Sequence, residues 1–373
     1  MASKRCNPDR REFLGVLALT GAAVATLGPG VVGSAIAAEE TMKQRNIKLG
    51  FDNFSIRAMG WNAAQLLDYA GKQKVDAILL SNLSVYESFE ESYLRELKEK
   101  ADGLGIEIHA GTNSICPTSN AWSDKYGNAQ EHLELCFKVA KALGSPVIRC
   151  YLGNRGDREG DGGIYPHIEK TVEVCKSVKS QALDLGIKIA IENHAGDMQA
   201  WELAELIEAA GKDYVGVTMD SGNATWTIED PLASLEILGP YAVATGMRDS
   251  AVWETEKGAA VQWVDMGDGA VDWNDYLDRY EELCPGVPFQ LEIISGGPRE
   301  FNYLEESFWK TYPRGRGVDL ARFLALAKRG APPTPPPERP TGDGDEAQKP
   351  QQTFDLERSL EYCRRALGLG IKD

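Results

Sequence analysis

Between Ile47 and Gly330 the chain alternates short apolar runs with longer segments of helical periodicity, and a new run begins roughly every 25 to 40 residues. Such alternation is typical of a parallel α/β fold, because a helix returns the chain from the end of one strand to the start of the next. Eight units in about 285 residues predict a single (β/α)8 barrel, also called a TIM barrel. A doubly wound sheet is the alternative, although no GxGxxG motif follows the first run. The predicted strands are 47–52, 75–80, 106–110, 147–152, 187–192, 214–220, 241–247 and 288–294.

Each of several predicted strands has one apolar face and a second face that ends in a polar residue. In 187–192, for example, Ile187, Ile189 and Ile191 share one face, and Glu192 ends the other. The carboxyl ends of barrel strands surround one mouth, so these polar residues should converge there. The residues in question are Asp52, His109, Glu192, Asp220 and Glu292.

The two ends of the chain depart from this pattern. Arg10 and Arg11 precede a weakly apolar run that ends in small residues, which resembles a twin-arginine export signal and predicts a periplasmic or otherwise exported protein. An uncleaved membrane anchor is the alternative, but the many Gly and Ala residues disfavour a spanning helix, and no other stretch is apolar enough. The predicted organisation is a signal peptide at 1–37, a barrel at 45–330, a Pro-rich linker at 331–351 and a short amphipathic helix at 352–373.

The charge and the cysteines exclude several classes of function. A formal net charge of −16 argues against nucleic acid and anionic membranes as partners, because phosphates require a positive field. The seven cysteines form no CxxC pair, so the sequence contains neither a zinc-knuckle spacing nor a thioredoxin-like motif. We expect them to be buried free thiols.

The predicted mouth of the barrel is rich in carboxylates. Glu192, Asp220 and Glu292 would repel one another there, so they need a cation or a retained proton. A divalent metal with oxygen ligands is one solution, and His194 lies close enough in sequence to join them. Structural ion pairs are the alternative, and the arginines available near strand ends are Arg149, Arg248 and Arg299.

The motifs around these acids carry a family resemblance. Ile191-Glu192-Asn193-His194, Met219-Asp220-Ser221-Gly222-Asn223 and Leu291-Glu292-Ile293 are similar to motifs of the xylose isomerase-like sugar isomerase and epimerase barrels. The resemblance covers the whole barrel. It implies that Glu192, Asp220 and Glu292 are ligands of Mn²⁺, Mg²⁺, Co²⁺ or Zn²⁺. The family's fourth ligand, a histidine, would fall at position 246, where this chain has Gly246.

The resemblance also implies a reaction. An isomerase or epimerase of a sugar or sugar derivative removes a carbon-bound proton beside a carbonyl and stabilises the enediolate, and Glu192 and Glu292 are the expected acid–base pair. One alternative is a lyase that eliminates a group or decarboxylates a keto sugar or oxidised glycoside. Another is a barrel that binds saccharides without catalysis. Export favours an unphosphorylated substrate.

Other residues are candidates for binding this small-molecule carbohydrate. His109 and His194 could hydrogen-bond hydroxyl groups, and Trp226 and Trp253, expected in strand-to-helix loops, could stack on sugar C–H faces. Arg149 and Arg248 could bind an anionic group, although a role in neutralising the acids is favoured. Barrels of this size often associate, so a homo-oligomer is an open alternative to a monomer.

Overall fold

The computed structural model describes residues 43–294, 296–334 and 344–372. The predicted signal peptide at 1–37 and much of the predicted linker lie outside these residues. Within them, no helix is both long enough and apolar enough to cross a membrane.

Eight parallel strands form the barrel, which confirms the predicted fold. Neighbouring strands pair in the order β10-β1-β2-β3-β4-β5-β6-β7, and a parallel bridge between Met247 and Leu291 brings the two edges together. The strands are β1 Leu49–Asp52, β2 Ala77–Leu80, β3 Glu107–Ser114, β4 Val147–Tyr151, β5 Lys188–Glu192, β6 Val215–Met219, β7 Ala242–Thr245 and β10 Phe289–Leu291.

The helices surround the barrel and begin and end where local sequence requires. Asn62 and Asn128 each form a capping box with the residue three positions later, which satisfies free amide groups of the first turn. Gly105 and Gly144 end two helices in the left-handed conformation that glycine adopts without strain. The helices are α1 Ala63–Lys72, α2 Glu91–Leu104, α3 Ala129–Leu143, α4 Tyr165–Ser177, α5 Lys179–Leu185, α6 Ala200–Ala210, α7 Ser221–Trp226, α8 Pro231–Leu238, α9 Trp273–Leu283, α10 Gly317–Arg329 and α11 Asp345–Leu367.

The C-terminal helix α11 is part of the barrel. It begins at Asp345, earlier than the expected start at 352, and its Leu356, Leu360 and Cys363 are completely buried in the main core. The helix packs against β10 and against the 3₁₀ segment Asn53–Met59 that follows β1. Thus α11 covers the place where the last strand meets the first.

A second, smaller layer was not predicted. β8 Asp249–Thr255, β9 Gly258–Val264 and β11 Arg299–Phe301 form an antiparallel sheet that leaves the barrel directly after β7. This sheet has its own apolar core, to which helix α10 contributes Phe323 and Leu326. The layer lies at the carboxyl end of the barrel, since Trp263 of β9 donates to the Gly222 carbonyl in α7 at 3.1 Å.

The main core lies between the strands and the helices. The outward residues of β5, Ile189 and Ile191, are completely buried, as predicted from strand parity. The cysteines of the described part of the chain are buried and free, which confirms that expectation for these residues.

Candidate active site

Three carboxylates converge at the carboxyl end of the barrel. Glu192 is the last residue of β5, and Asp220 and Glu292 directly follow β6 and β10. One oxygen of each lies within 4.8 Å of the others. Their exposed fractions are 1%, 0% and 4%, so water reaches the cluster very little. The structure therefore brings together the three residues that the sequence placed at one mouth.

Two asparagines of the sequence motifs hold these acids in place. Asn193 donates to the Asp220 carbonyl at 2.8 Å and accepts from the Asp220 amide at 2.9 Å, which joins the ends of β5 and β6. Asn223 donates from Nδ2 to Glu192 at 3.1 Å, and its amide donates to Asp220 Oδ1 at 2.8 Å. The Glu-Asn-His and Asp-Ser-Gly-Asn motifs thus orient the two carboxylates relative to each other.

Arg149 on β4 is the counterion of Glu192. Its Nε donates to Glu192 Oε2 at 2.5 Å, and its Nη1 donates to the Thr112 carbonyl at 3.2 Å. The side chain is 5% exposed. Arg149 therefore neutralises an acid, which is the role that the sequence analysis favoured.

Arg248 lies between the other two acids. It follows β7, and its Nη2 donates to both Asp220 Oδ2 and Glu292 Oε2. The side chain is 2% exposed. Consecutive barrel strands β5, β6, β7 and β10 thus supply Glu192, Asp220, Arg248 and Glu292 to one cluster.

Burial raises the pKa values of several of these acids. Loss of hydration raises the pKa of Glu192 well above its ordinary value and that of Asp220 to about 7, in both cases against the effect of the arginines. Asp52, the last residue of β1, also has its pKa raised to about 7, first by burial and then by the charge of Glu292. At neutral pH the cluster therefore retains protons that exposed carboxylates would lose.

A stack of aromatic and cationic groups extends from the cluster. The Arg248 guanidinium lies 4.3 Å from the ring centre of Trp263, which stacks on Trp226 at 3.9 Å. Arg299 covers the other face of Trp226 at 4.1 Å. Both faces of Trp226 are therefore occupied, and Arg299 does not neutralise the acids. Trp226 lies in α7 and Trp253 pairs with Ala260 within the antiparallel sheet, so neither tryptophan is in a loop as predicted.

His194 lies beside the cluster. It is half-buried and stacks on Tyr151 with ring centres 3.8 Å apart, and its Nδ1 hydrogen-bonds the Gly153 carbonyl at 2.6 Å. Burial, and then the charge of Arg149, lowers the pKa of His194 to about 3. The ring is therefore neutral and can hydrogen-bond a ligand.

His109 does not lie where the sequence placed it. We expected it at the end of the third strand, but β3 continues to Ser114. His109 is the third residue of the strand, and its Nε2 hydrogen-bonds Glu107 at 2.8 Å. Glu107 also accepts from Lys48 at 2.6 Å. His109 belongs to an ion-paired group near the amino end of the barrel, because β3 is longer than its apolar run.

The carboxylates could hold a divalent cation, but the complete residue set does not fit the four-ligand site that the resemblance implies. A Cβ at Gly246 would lie 3.2 Å from Glu292 Oε2 and 3.7 Å from Asp220 Oδ2, so a side chain there would point at the cluster; glycine offers no ligand atom. In addition, Arg248 donates to oxygens of Asp220 and Glu292 that a cation would need.

Sequence reasoning missed several residues of the site. Asp52 was expected at the mouth but no role was assigned to it, and the roles of Asn193 and Asn223 were not assigned although both lie in the motifs. Trp263 was also expected in a strand-to-helix loop, but it lies in β9 of the unpredicted sheet, so its contact with Arg248 was not predicted.

Comparison with known proteins supports the architecture. A family model described as xylose isomerase-like TIM barrel matches residues 55–311. A 3-oxo-isoapionate decarboxylase of Pectobacterium atrosepticum is 18% identical over 213 residues, which are 57% of this chain and 70% of the relative. A D-psicose 3-epimerase, crystallised in the presence of D-fructose, has 16% identity and a TM-score of 0.57, covering 86% of this chain and 100% of its own.

The IOLI protein, whose structure contains a zinc atom, has 17% identity and a TM-score of 0.50 over 75% of this chain and 96% of its own. At such identities the two solved structures show a common fold only. The family model, in contrast, covers more than half of the chain, including the motifs that carry Glu192 and Asp220. The chain belongs to the xylose isomerase-like TIM barrel family.

Proposed function

We propose that this protein is an isomerase or epimerase that moves a proton beside the carbonyl group of a sugar or sugar derivative. The observation that carries the proposal is the convergence of Glu192 and Glu292, from strands separated by β6 and β7, in a cluster that excludes water. Two carboxyl groups that approach one substrate from different strands can remove a proton and return it at another position.

The charges of the cluster suit this chemistry. Burial raises the pKa of Glu192 well above its ordinary value, so we assign Glu192 as the proton donor in one direction of the reaction. Glu292 is the proposed acceptor, and Arg248 donates to both Glu292 and Asp220. His194, which is neutral and stacks on Tyr151 beside the cluster, is the proposed hydrogen-bond partner of a substrate hydroxyl group.

The ligand that we propose is an unphosphorylated small carbohydrate. The family membership supports a carbohydrate, since a D-psicose 3-epimerase shares the fold and a 3-oxo-isoapionate decarboxylase is a distant relative. The absence of a phosphate follows from the further proposal that residues 1–37 direct export to the periplasm, because sugar phosphates are mostly cytoplasmic.

Isotope exchange tests the proposal. The protein would be incubated in D2O with a panel of free ketoses, aldoses and sugar acids, and proton NMR would detect deuterium at carbons next to the carbonyl. We expect exchange without loss of carbon, abolished in Glu192→Gln and Glu292→Gln. The matched control is Glu256→Gln, since Glu256 is an exposed acid in the turn between β8 and β9. Full exchange in Glu292→Gln would contradict the assignment of the acid–base pair.

A lyase is the second candidate, and two observations favour it. The relative from Pectobacterium atrosepticum is named a decarboxylase. Moreover, Nε and Nη1 of Arg248 have no hydrogen-bond partner among the described residues, so they can bind a substrate carboxylate. A lyase would release carbon dioxide or a fragment from the same panel, whereas an isomerase would leave the total carbon unchanged.

A further inference from the structure

The cation at the centre of the acidic cluster is a side chain of this protein. Glu192, Asp220 and Glu292 would repel one another without a positive charge nearby. Arg149 pairs with the first of them, and Arg248 lies between the other two. Arg248 follows β7 and lies two residues after Gly246, the position at which the family's fourth metal ligand would fall.

Two glycines provide the space for this arrangement. Gly246 leaves free the volume next to Glu292 and Asp220 into which any side chain would point. A Cβ at Gly222 would lie 2.2 Å from Cγ and 2.5 Å from Cδ of Arg248, so a larger residue would displace the arginine. Gly222 lies in the Asp-Ser-Gly-Asn motif, and its role here is to let the arginine side chain reach the acids.

The surrounding residues fix the position of Arg248. Ser221 Oγ donates to its carbonyl at 2.7 Å and accepts from its amide at 3.0 Å. The ring of Trp263 covers one face of the guanidinium at 4.3 Å, and its own Nε1 is held by Gly222. The backbone hydrogen bonds, the contact with Trp263 and the ion pairs therefore all hold the Arg248 side chain in one conformation.

We propose that the Arg248 guanidinium takes the place of a divalent metal in this barrel, and that its free Nε–H and Nη1–H donate to the substrate oxygen that becomes negative when the proton is removed. Neither group has a partner among the described residues, although the side chain is 98% buried. Buried donors without partners are costly, and an oxygen of a bound ligand would satisfy them. The first half of the proposal concerns metal affinity alone; the second half rests on the proposed function.

Metal binding tests the first half without any substrate. The full chain would be incubated with excess MnCl2 or CoCl2, desalted and analysed for metal. We expect less than about 0.1 ion per chain in the wild type and about one in Gly246→His/Arg248→Met, where a histidine supplies a fourth ligand and the competing cation is removed. Visible absorption of Co²⁺ would report coordination in the variant. About one tightly held ion in the wild type would overturn the proposal.

A second measurement covers the case in which the double variant does not fold. Electron paramagnetic resonance of Mn²⁺ titrated with wild-type protein shows the signal of the free hydrated ion as long as no site binds it. Retention of that signal in the presence of a molar excess of protein supports the proposal. Loss of the signal at micromolar concentrations overturns it, whatever the variant does.

Kinetics test the second half. On a substrate identified by the isotope screen, Arg248→Met should lower kcat at least about 100-fold, as loss of a group that stabilises an oxyanion does, and Arg248→Lys should recover part of it. A change confined to KM would contradict this role. If no substrate exchanges deuterium but the wild type binds no metal, the proposed function fails and the metal inference stands.

Discussion

The barrel contains two groups of charged side chains on its inner surface, one at each end. Near the amino end, Lys48, Glu107 and His109 pair closely, and the hydrogen bond from His109 is the main cause that lowers the pKa of Glu107 to about 2. At the carboxyl end, burial raises the pKa values of Glu192 and Asp220 although two arginines are present.

The two groups differ in the number of acids per cation and in their exposure to water. Glu107 keeps 30% of its side chain exposed and has two partners of its own, whereas three acids share two arginines in the carboxyl-end cluster. A group of the first kind stabilises the ionised form and stores no proton. A group of the second kind holds protons at neutral pH and can exchange them with a substrate, which is what an acid–base catalyst requires.

The largest contrast should appear in catalysis. Glu192→Gln and Glu292→Gln should lower the rate of deuterium exchange by about 10²- to 10⁴-fold, because each removes a proton-transfer group. Glu107→Gln should leave the rate within about twofold, since Glu107 acts only at the other end of the barrel. NMR exchange rates at matched protein concentrations measure both. Equal losses of rate at the two ends would contradict the catalytic difference between the two groups.

Stability should show the next contrast. Arg248→Met leaves Asp220 and Glu292 buried without their cation, so the free energy of unfolding should fall by about 3 to 5 kcal/mol. Lys48→Met removes a partly exposed pair and should cost about 1 kcal/mol or less. Urea unfolding at pH 7 would measure both, and a similar loss in the two variants would refute the assigned difference in burial.

The pH dependence of stability should have opposite signs at the two ends. Folding raises the pKa of Asp220 from 3.8 to about 7, so its contribution is complete below pH 4 and is lost as the pH rises through 7. Folding lowers the pKa of Glu107 from 4.5 to about 2, so its contribution is present above pH 4.5 and is lost as the pH falls towards 2.

Unfolding free energies of Asp220→Asn and Glu107→Gln, compared with wild type from pH 2 to 8, test this. Each variant should lack a slope of up to about 1.4 kcal/mol per pH unit, the first between pH 4 and 7 and the second below pH 4.5. If the slope of the unfolding free energy against pH persists in both variants, groups other than Asp220 and Glu107 cause the pH dependence.

The smallest effect concerns the tryptophans of the antiparallel sheet. Trp263→Leu removes the ring that covers Arg248 and should lower the exchange rate about 5- to 10-fold through loss of a cation–π contact of about 1 kcal/mol. Trp253 lies in the same sheet, five residues beyond Arg248 along the chain. Trp253→Leu should therefore change the rate less than twofold. Steady-state kinetics of the two variants shows whether a tryptophan matters because it contacts Arg248 or only because it belongs to the sheet.

Prediction from the sequence succeeded where a local pattern is compatible with only one structure. The alternation of apolar runs with helical segments predicted the eight strands, and strand parity predicted the convergence of Glu192, Asp220 and Glu292, because it places a residue on a face whatever the rest of the chain does. It failed for His109, since β3 continues beyond its apolar run into Thr112 and Ser114. It also missed the antiparallel sheet, whose strands alternate too weakly to distinguish from loops.

The family, the order of strands and helices and the identity of the acids could be read from local periodicity and motifs. Which cation contacts which acid is visible only in the folded chain. Arg149, Arg248 and Arg299 looked equivalent along the chain, yet the first two enter the cluster and the third lies on Trp226. Arg248 reaches the acids because Gly222 and Gly246 leave space beside them, and a missing Cβ acts on neighbours that are distant in sequence.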